Sequence, residues 1–144
     1  MEMIEIKPLH HCDGSVRLPG SKSYTHRALI VSALARGESL LIDALRSEDT
    51  EHTIRGLQKM GITIFSEGTS LRVLGQGGTL GSEEGTIFLG NSGTSMRFLT
   101  ALAALKRGQT LLDGTERMRG RPMGELLRGL ESLGVSAYSL WNNG

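Results

Sequence analysis

The sequence contains an internal repeat, and this repeat limits the possible folds more than any other feature. "RALIVSALARGESLLID" begins at Arg27 and "RFLTALAALKRGQTLLD" begins at Arg97, so the two copies lie about seventy residues apart. Both run from Arg through an apolar helical stretch and an Arg-Gly pair into a short strand. "GLQKMGITI" from Gly56 recurs as "GLESLGVSA" from Gly129 at nearly the same offset. Because a fixed period indicates duplicated supersecondary units, the chain is predicted to contain two copies of one unit.

The first helix of each copy is unusually apolar. Residues 23–36 and 93–107 lack a polar face over most of their length. A helix that is apolar all round belongs in the interior, so both helices are expected to be buried nearly all round.

The second helix of each copy is amphipathic and has clear end signals. The first of these helices is predicted to have Ser47 as its N-cap and to stop at Gly61. The other is predicted to have Pro122 at its first helical position and to stop at Gly134.

Short β-branched and apolar runs predict strands between these helices. The predicted strands are Ile4 to Pro8, Ser15 to Leu18, Ser39 to Ile42, Ile62 to Ser66, Leu71 to Leu74, Thr86 to Leu89, Thr110 to Leu112 and Val135 to Tyr138. The repeating unit is therefore βαβαββ, complete in the first copy and without its last strands in the second. The chain ends in "SLWNNG", a turn-like sequence where the final hairpin is expected, so we expect it to be a fragment.

Composition excludes several classes of function. The chain has 144 residues, of which 38% are hydrophobic, and a net charge of +1, so it has no overall basic field for nucleic acid or membranes. No apolar run is long enough to span a bilayer, and Cys12 is the only cysteine. A reducing, cytoplasmic location is expected. The histidines and Cys12 show no metal-ligand spacing beyond an adjacent trio at 10–12, so no metal is expected.

The segment "GSKSYTHR" is the first candidate anion site. Gly20 permits a tight turn, and Ser21 to Ser23 present backbone amides at a helix start, where the unpaired N–H groups and the macrodipole favour an anion. Lys22 adds a charge, and Ser23 and Arg27 are four residues apart on one side of the helix. The alternative is a capped helix whose Lys and Arg are merely solvated.

The second copy has a similar helix start in "LGNSGTSMR". Asn91, Gly93 and Thr94 lie at the mouth of the matching apolar helix, with Arg97 in the place of Arg27. Two such starts from repeated units are expected to point their amides toward a common rim. The alternative is that the small residues serve as caps and packing, with Arg97 paired structurally to an acid such as Asp49.

The segment "DGTERMRGRPMGELL" is the third candidate. Of Arg117, Arg119 and Arg121, the last is favoured as a ligand contact because it directly precedes a helix. The alternative is that these arginines are solvated and paired with Asp113 and Glu116.

Together "LPGSKSYTHRAL", "LGNSGTSMRFL" and "GTERMRGRPMGELL" resemble the 5-enolpyruvylshikimate-3-phosphate synthase family, over roughly Ile4 to Tyr138. The resemblance implies an inside-out α/β barrel domain of repeated βαβαββ units around buried parallel helices, with about two of three units present. It implies transfer of the enolpyruvyl group of phosphoenolpyruvate to the 5-hydroxyl of shikimate 3-phosphate, on the route to aromatic amino acids. No cofactor is implied.

The resemblance also assigns roles to residues. Lys22 is implied as a catalytic charge that contacts both substrates. Ser23 and Arg27 are implied to bind shikimate 3-phosphate. The residues implied to line the phosphoenolpyruvate site are Asn91, Gly93, Thr94 and Arg121. Asp49 and Arg97 are expected to be structural or supporting.

The chain departs from the family in two ways. It lacks the third unit and the second domain, so it is expected to hold one wall of the active site and to be inactive alone, and its apolar helices are expected to promote self-association. Residues 1–20 are expected to form strands near the interdomain hinge, and residues 21–144 the partial domain.

The second departure is Phe98, which stands where many members have Pro or Leu and bears on glyphosate sensitivity. The remaining alternatives are a UDP-N-acetylglucosamine enolpyruvyl transferase, which shares the Lys but has Asn after it, and a non-catalytic phosphate-binding module.

Overall fold

A computed structural model describes residues 3–81 and 85–140. The helices of the described ranges are α1 Lys22–Leu34, α2 Glu48–Lys59, α3 Gly93–Ala103, α4 Glu116–Arg119 and α5 Gly124–Ser132. The strands are β1 Arg36–Leu41, β2 Thr63–Glu67, β3 Ser70–Gln76, β4 Thr86–Phe88 and β5 Leu111–Asp113. No helix in these ranges combines the length and apolar character needed to cross a bilayer.

The strands form two sheets, one for each copy of the repeat. In the first sheet β3 lies between β1 and β2 and is antiparallel to both, with Leu41 opposite Leu71 and Ile64 opposite Val73. In the second sheet β4 and β5 pair in parallel, as expected for strands joined by a crossover helix, here α3. The order helix, strand, helix therefore recurs in both copies.

One hydrophobic core joins the two copies. Helix α2 packs against both α1 and α3, and α1 also packs on β3. Gly75 permits this last contact, because a Cβ there would overlap the carbonyl oxygens of Ser32 and Ala35. The large apolar side chains that are fully buried are Leu29, Leu57, Met60, Ile62, Leu71, Leu89, Leu99 and Val73.

The ends of the amphipathic helices follow the sequence closely. Ser47 caps α2, and its hydroxyl and that of Thr50 each accept a hydrogen bond from the other residue's backbone N–H. Gly61 and Gly134 have φ of +87° and +83° just after α2 and α5, the left-handed conformation in which glycine ends helices. Helix α5 begins at Gly124 with Met123 as N-cap, so the prediction of Pro122 as its first residue is wrong by two positions.

Three predicted strands are absent from the described residues. Residues 4–8, 15–18 and 135–138 have no regular structure. Each carries apolar residues typical of strands, but no strand in the described ranges lies beside them, and an unpaired strand leaves its backbone hydrogen bonds unmade. Of the predicted final turn, residues 141–144 lie outside the described residues.

The prediction that the two apolar helices are buried nearly all round is also wrong. On α1, Leu29 and Ala33 are fully buried, but Tyr24 is 79% and Val31 67% exposed. The packing partners of α1 in the described structure, α2, α3, β1 and β3, cover only one of its sides. Helix α3 ends at Ala103, four residues before its predicted end.

Candidate functional site

The start of α1 brings a lysine beside an aspartate. Ser21 caps the helix by accepting a hydrogen bond from the Tyr24 N–H, and Gly20 before it packs so closely on the Asp43 carbonyl that no Cβ fits. Lys22 Nζ then donates to Asp49 Oδ2 over 2.8 Å. Lys22 is therefore paired with an acid from the first turn of α2, not merely solvated.

Asp49 is held as a carboxylate by its surroundings. The hydrogen bond from Lys22 lowers the pKa of Asp49 below its ordinary value, while partial burial opposes this effect. The backbone carbonyl oxygen of Asp49 accepts a hydrogen bond from Ser95 Oγ of α3 over 2.9 Å, so Asp49 joins the starts of α1, α2 and α3.

Arg27 lies next to Ser23 but bonds to its backbone. The guanidinium donates through Nη1 to the Ser23 carbonyl oxygen over 3.0 Å. Its Cζ also lies 5.7 Å from the ring centroid of Phe98 on α3, a cation–π contact. Ser23 and Arg27 thus share one side of the helix start, as the spacing predicts, with both residues exposed.

The start of α3 is crowded by arginine. A Cβ on Gly93 would lie 2.5 Å from Arg121 Nη1 and 3.3 Å from Arg97 Nη1, so both guanidinium groups lie close to this glycine and a side chain there would displace them. Thr94 follows in the same turn and is half-buried. The side-chain oxygen of Asn91 is buried and has no hydrogen-bond partner within the described ranges. The guanidinium of Arg121 therefore lies at the amino end of α3.

Arg97 contacts different groups from those expected. It donates through Nη2 to the Pro122 carbonyl oxygen over 2.9 Å and through Nη1 to that of Gly93 over 3.5 Å. The predicted pairing of Arg97 with Asp49 is wrong. The Arg97 guanidinium donates to the segment before α5, and the Asp49 carboxylate is hydrogen-bonded to Lys22 instead. Arg97 thereby ties that segment to α3.

Arg119 has a structural partner, as the alternative for this arginine cluster predicts. Its Nε and Nη2 donate to the two carboxylate oxygens of Asp113 over 2.8 and 2.7 Å, and the Gly114 N–H donates to the same group. The Arg119 guanidinium above all lowers the pKa of Asp113 to about 2. The Thr115 N–H also donates to the Gly90 carbonyl oxygen. These bonds fix the segment that carries Arg121.

A buried hydrogen-bonded cluster behind the site was not predicted. It joins His26 of α1, Thr53 of α2, and Ser92 and Ser95 of α3. The side chains are distant in sequence, and isolated Ser, Thr and His residues in helices give no local pattern. Within 3–81 and 85–140 there is no group of three or more His, Cys, Asp or Glu that could hold a metal ion.

Comparison with known proteins agrees with the motifs. A sequence model described as EPSP synthase (3-phosphoshikimate 1-carboxyvinyltransferase) matches residues 6–144. The 3-phosphoshikimate 1-carboxyvinyltransferase of Nostoc punctiforme is 44% identical over 100% of this chain and 34% of its own length. That of Methanothermobacter thermautotrophicus is 46% identical over 92% of this chain and 31% of its own length. The chain thus spans about a third of the length of these curated relatives.

A solved structure agrees with the fold. EPSP synthase from Acinetobacter baumannii superposes with a TM-score of 0.80 at 28% identity, covering 85% of this chain and 28% of that one. The described structure is part of an inside-out α/β barrel domain of the enolpyruvyl transferase type, as the resemblance implies. Sequence and structure together place the chain in the EPSP synthase (3-phosphoshikimate 1-carboxyvinyltransferase) family.

Proposed function

We propose that this chain forms one wall of an active site that transfers the enolpyruvyl group of phosphoenolpyruvate to the 5-hydroxyl of shikimate 3-phosphate, with release of phosphate. One observation carries the proposal: Lys22 and Arg121 stand at the amino ends of α1 and α3, which are joined through Asp49. Both substrates are polyanions, and each helix end offers unpaired N–H groups and positive polarisation.

The residues divide between the two substrates in this proposal. Ser23 and Arg27 bind shikimate 3-phosphate, and Lys22 contacts both substrates. The residues that bind phosphoenolpyruvate are Asn91, Gly93, Thr94 and Arg121. Arg121 is suited to a phosphate because a guanidinium forms paired hydrogen bonds with its oxygens.

Fixed cations and amides suit the chemistry of this reaction. The 5-hydroxyl adds across the double bond of phosphoenolpyruvate to give a tetrahedral phosphate-bearing intermediate, and loss of phosphate and a methyl proton from this intermediate restores the double bond. Donors that are already in place stabilise the charge of the intermediate. Lys22 exchanges its bond to Asp49 for a bond to the ligand, and can also relay a proton. The proposal requires no metal or cofactor.

Titration tests the binding role of Lys22. We expect Lys22→Ala to weaken binding of shikimate 3-phosphate about tenfold or more, because a hydrogen bond to a charged group contributes about 1.5–3 kcal/mol. Lys59→Ala is the matched control, since Lys59 is exposed and donates to the Thr86 carbonyl oxygen away from these helix starts. Equal affinity of the wild-type chain and both variants, measured by calorimetry, would contradict the proposal.

We further propose that this chain has no measurable turnover alone, because the remaining length of its relatives is expected to supply the facing wall. Phosphate release at normal rates by the purified chain would overturn this.

Residues 1–20 are proposed to lie near a hinge. The single exposed Cys12 thiol supports a reducing, cytoplasmic location.

Self-association is a separate proposal about the exposed face of α1 and β1. Tyr24, Val31, Leu40 and Ile42 are all largely exposed there. Contiguous apolar surface favours association. We expect sedimentation velocity to show a concentration-dependent increase in mass; a monomer at all concentrations would contradict this.

A further inference from the structure

A line of buried hydrogen bonds crosses three helices behind the candidate site. His26 Nδ1 on α1 lies 2.8 Å from Thr53 Oγ1 on α2, and Thr53 Oγ1 lies 2.8 Å from Ser95 Oγ on α3. Ser95 Oγ then donates over 2.9 Å to the backbone carbonyl oxygen of Asp49. The three side chains are fully buried, so none of these groups can exchange its partner for water.

The chemistry of the groups gives this line a direction. A carbonyl oxygen only accepts, so the single hydroxyl proton of Ser95 goes to Asp49. Ser95 Oγ can then accept from Thr53, whose own proton is used in that bond, and from Ser92 Oγ, which lies 2.7 Å away. Thr53 in turn accepts from His26, which requires the proton on Nδ1. In this arrangement every hydroxyl both accepts and donates, and bonds aligned in this way strengthen one another.

The opposite arrangement is less favourable. If Thr53 donated to His26 Nδ1, the imidazole proton would reside on Nε2. His26 Nε2 is buried and has no hydrogen-bond partner within the described ranges. A buried N–H without an acceptor is rarer in proteins than an under-used acceptor. The Nδ1–H form leaves only a lone pair on the Nε2 that lacks a partner in the described structure.

We propose that His26 is a positioning residue, held as the neutral Nδ1–H tautomer, which through Thr53 and Ser95 fixes the first turn of α2 and so places the Asp49 carboxylate that holds Lys22. The last link, from Lys22 to ligand binding, depends on the proposed function. The hydrogen-bond line itself does not depend on it.

The charges around His26 are consistent with a neutral ring. Burial is the main cause that lowers the pKa of His26; Lys22 and Arg27 lower it further, and only Asp49 raises it. A second imidazole proton would also remove the acceptor character of Nε2 and place a charge inside the core.

Nitrogen-15 NMR of the histidine rings in this chain tests the tautomer directly. At pH 7 we expect Nδ1 of His26 to give a protonated, pyrrole-type shift and Nε2 an unprotonated one. An Nε2–H tautomer or an imidazolium ring at that pH would overturn the proposal. This measurement needs no substitution and no ligand.

Substitution of Thr53 tests the positioning. Thr53→Val keeps the shape but removes the hydroxyl, whereas Thr53→Ser keeps the hydroxyl. In Thr53→Val we expect the carboxyl titration of Asp49, followed by carbon-13 NMR, to move up toward its ordinary value of 3.8. Thr53→Ser should titrate like the wild type. Thr100→Val is the matched control, because the Thr100 hydroxyl bonds only to the Met96 carbonyl oxygen in its own helix.

Binding of inorganic phosphate separates the two proposals. We expect Thr53→Val to weaken phosphate binding several-fold and Thr53→Ser to preserve it. If the wild-type chain binds no phosphate, the proposed function is contradicted, while the Asp49 titration still decides the positioning. If Thr53→Val does not fold, Ser95→Ala replaces it in the same titration. An unchanged Asp49 titration in a folded variant that lacks either hydroxyl would refute the positioning role.

Discussion

Acidification provides a sharp test of how the Arg121 segment is held. Asp113 ends β5 and accepts two hydrogen bonds from Arg119 and one from the Gly114 N–H. These groups, the Arg119 guanidinium first among them, lower the pKa of Asp113 from 3.8 to about 2. These hydrogen bonds hold the turn that precedes Arg121. Their loss should therefore make the position of the Arg121 side chain beside Gly93 less fixed.

The magnitude follows from linkage. Because the folded pKa of Asp113 lies below its unfolded value, its contribution to stability is fully present above pH 3.8 and is lost as the pH falls toward about 2. At about 1.4 kcal/mol per pH unit, the upper bound is about 2.4 kcal/mol. The Asp113 side chain is 27% exposed and that of Arg119 42% exposed. Solvent screening at such a site reduces the expected contribution to about 1 kcal/mol.

Urea unfolding of the wild type and Asp113→Asn between pH 7 and pH 2 measures this contribution. We expect the variant to be about 1 kcal/mol less stable at pH 7 and equal to the wild type near pH 2. Asp43→Asn is the matched control, because Asp43 pairs with Arg17 on the open surface and should change stability by well under about 1 kcal/mol. A difference between Asp113→Asn and wild type that stays constant over the whole range would refute the reasoning.

Three further predictions concern packing and burial, each read from the free energy of unfolding in urea. Gly75→Ala should destabilise by about 2 kcal/mol or more, since its Cβ would overlap backbone carbonyl oxygens, whereas Gly129→Ala, with open space around it in α5, should stabilise by about 0.5–1 kcal/mol. If Gly75→Ala were more stable than Gly129→Ala, the close packing of α1 on β3 at Gly75 would be contradicted. Leu99→Ala should cost about 2–5 kcal/mol because Leu99 is fully buried, and a cost below about 1 kcal/mol would place it outside the core. Because the folded pKa of His26 is lowered, wild-type stability should fall as pH drops below about 6.5, and His26→Gln should flatten that fall; parallel curves would contradict it.

Local chemistry made the helix ends predictable. Ser47 and Gly61 act through contacts with their immediate neighbours, so the sequence carries enough information to bound α2. Strands are different, because a strand requires a partner elsewhere in the chain. Residues 15–18 have strand-like composition but no partner in the described structure, and composition alone could not reveal that.

The site was predictable only in part. Ser23 and Arg27 lie on one side of the start of α1, as their spacing predicts, whereas the position of Arg121 at the start of α3 was implied by the family resemblance and not by its place before α5. The partner of Lys22 was not predictable, because Lys22 lies on α1 and Asp49 on α2, and the sequence does not show how these helices pack. Asp49 was expected to pair with Arg97. The line from His26 depends on how three helices pack, which no spacing in the sequence records.

The duplicated unit explains both the likeness and the difference between the two helix starts. Arg27 donates to the carbonyl oxygen of Ser23, and Arg97 donates to that of Gly93, four residues earlier in each case. The first turns of the two copies therefore share this contact between an arginine and a backbone carbonyl oxygen.

The cations that are proposed to bind ligands come from different parts of the chain. In the first copy Lys22 lies in the helix start itself. At the equivalent end of α3 the charge is Arg121, which comes from a later segment and lies against Gly93. Duplication therefore supplies the amide donors twice. Lys22 thus supplies an ammonium at one helix end and Arg121 a guanidinium at the other, and in the proposed function this difference would allow the two ends to bind two different anions.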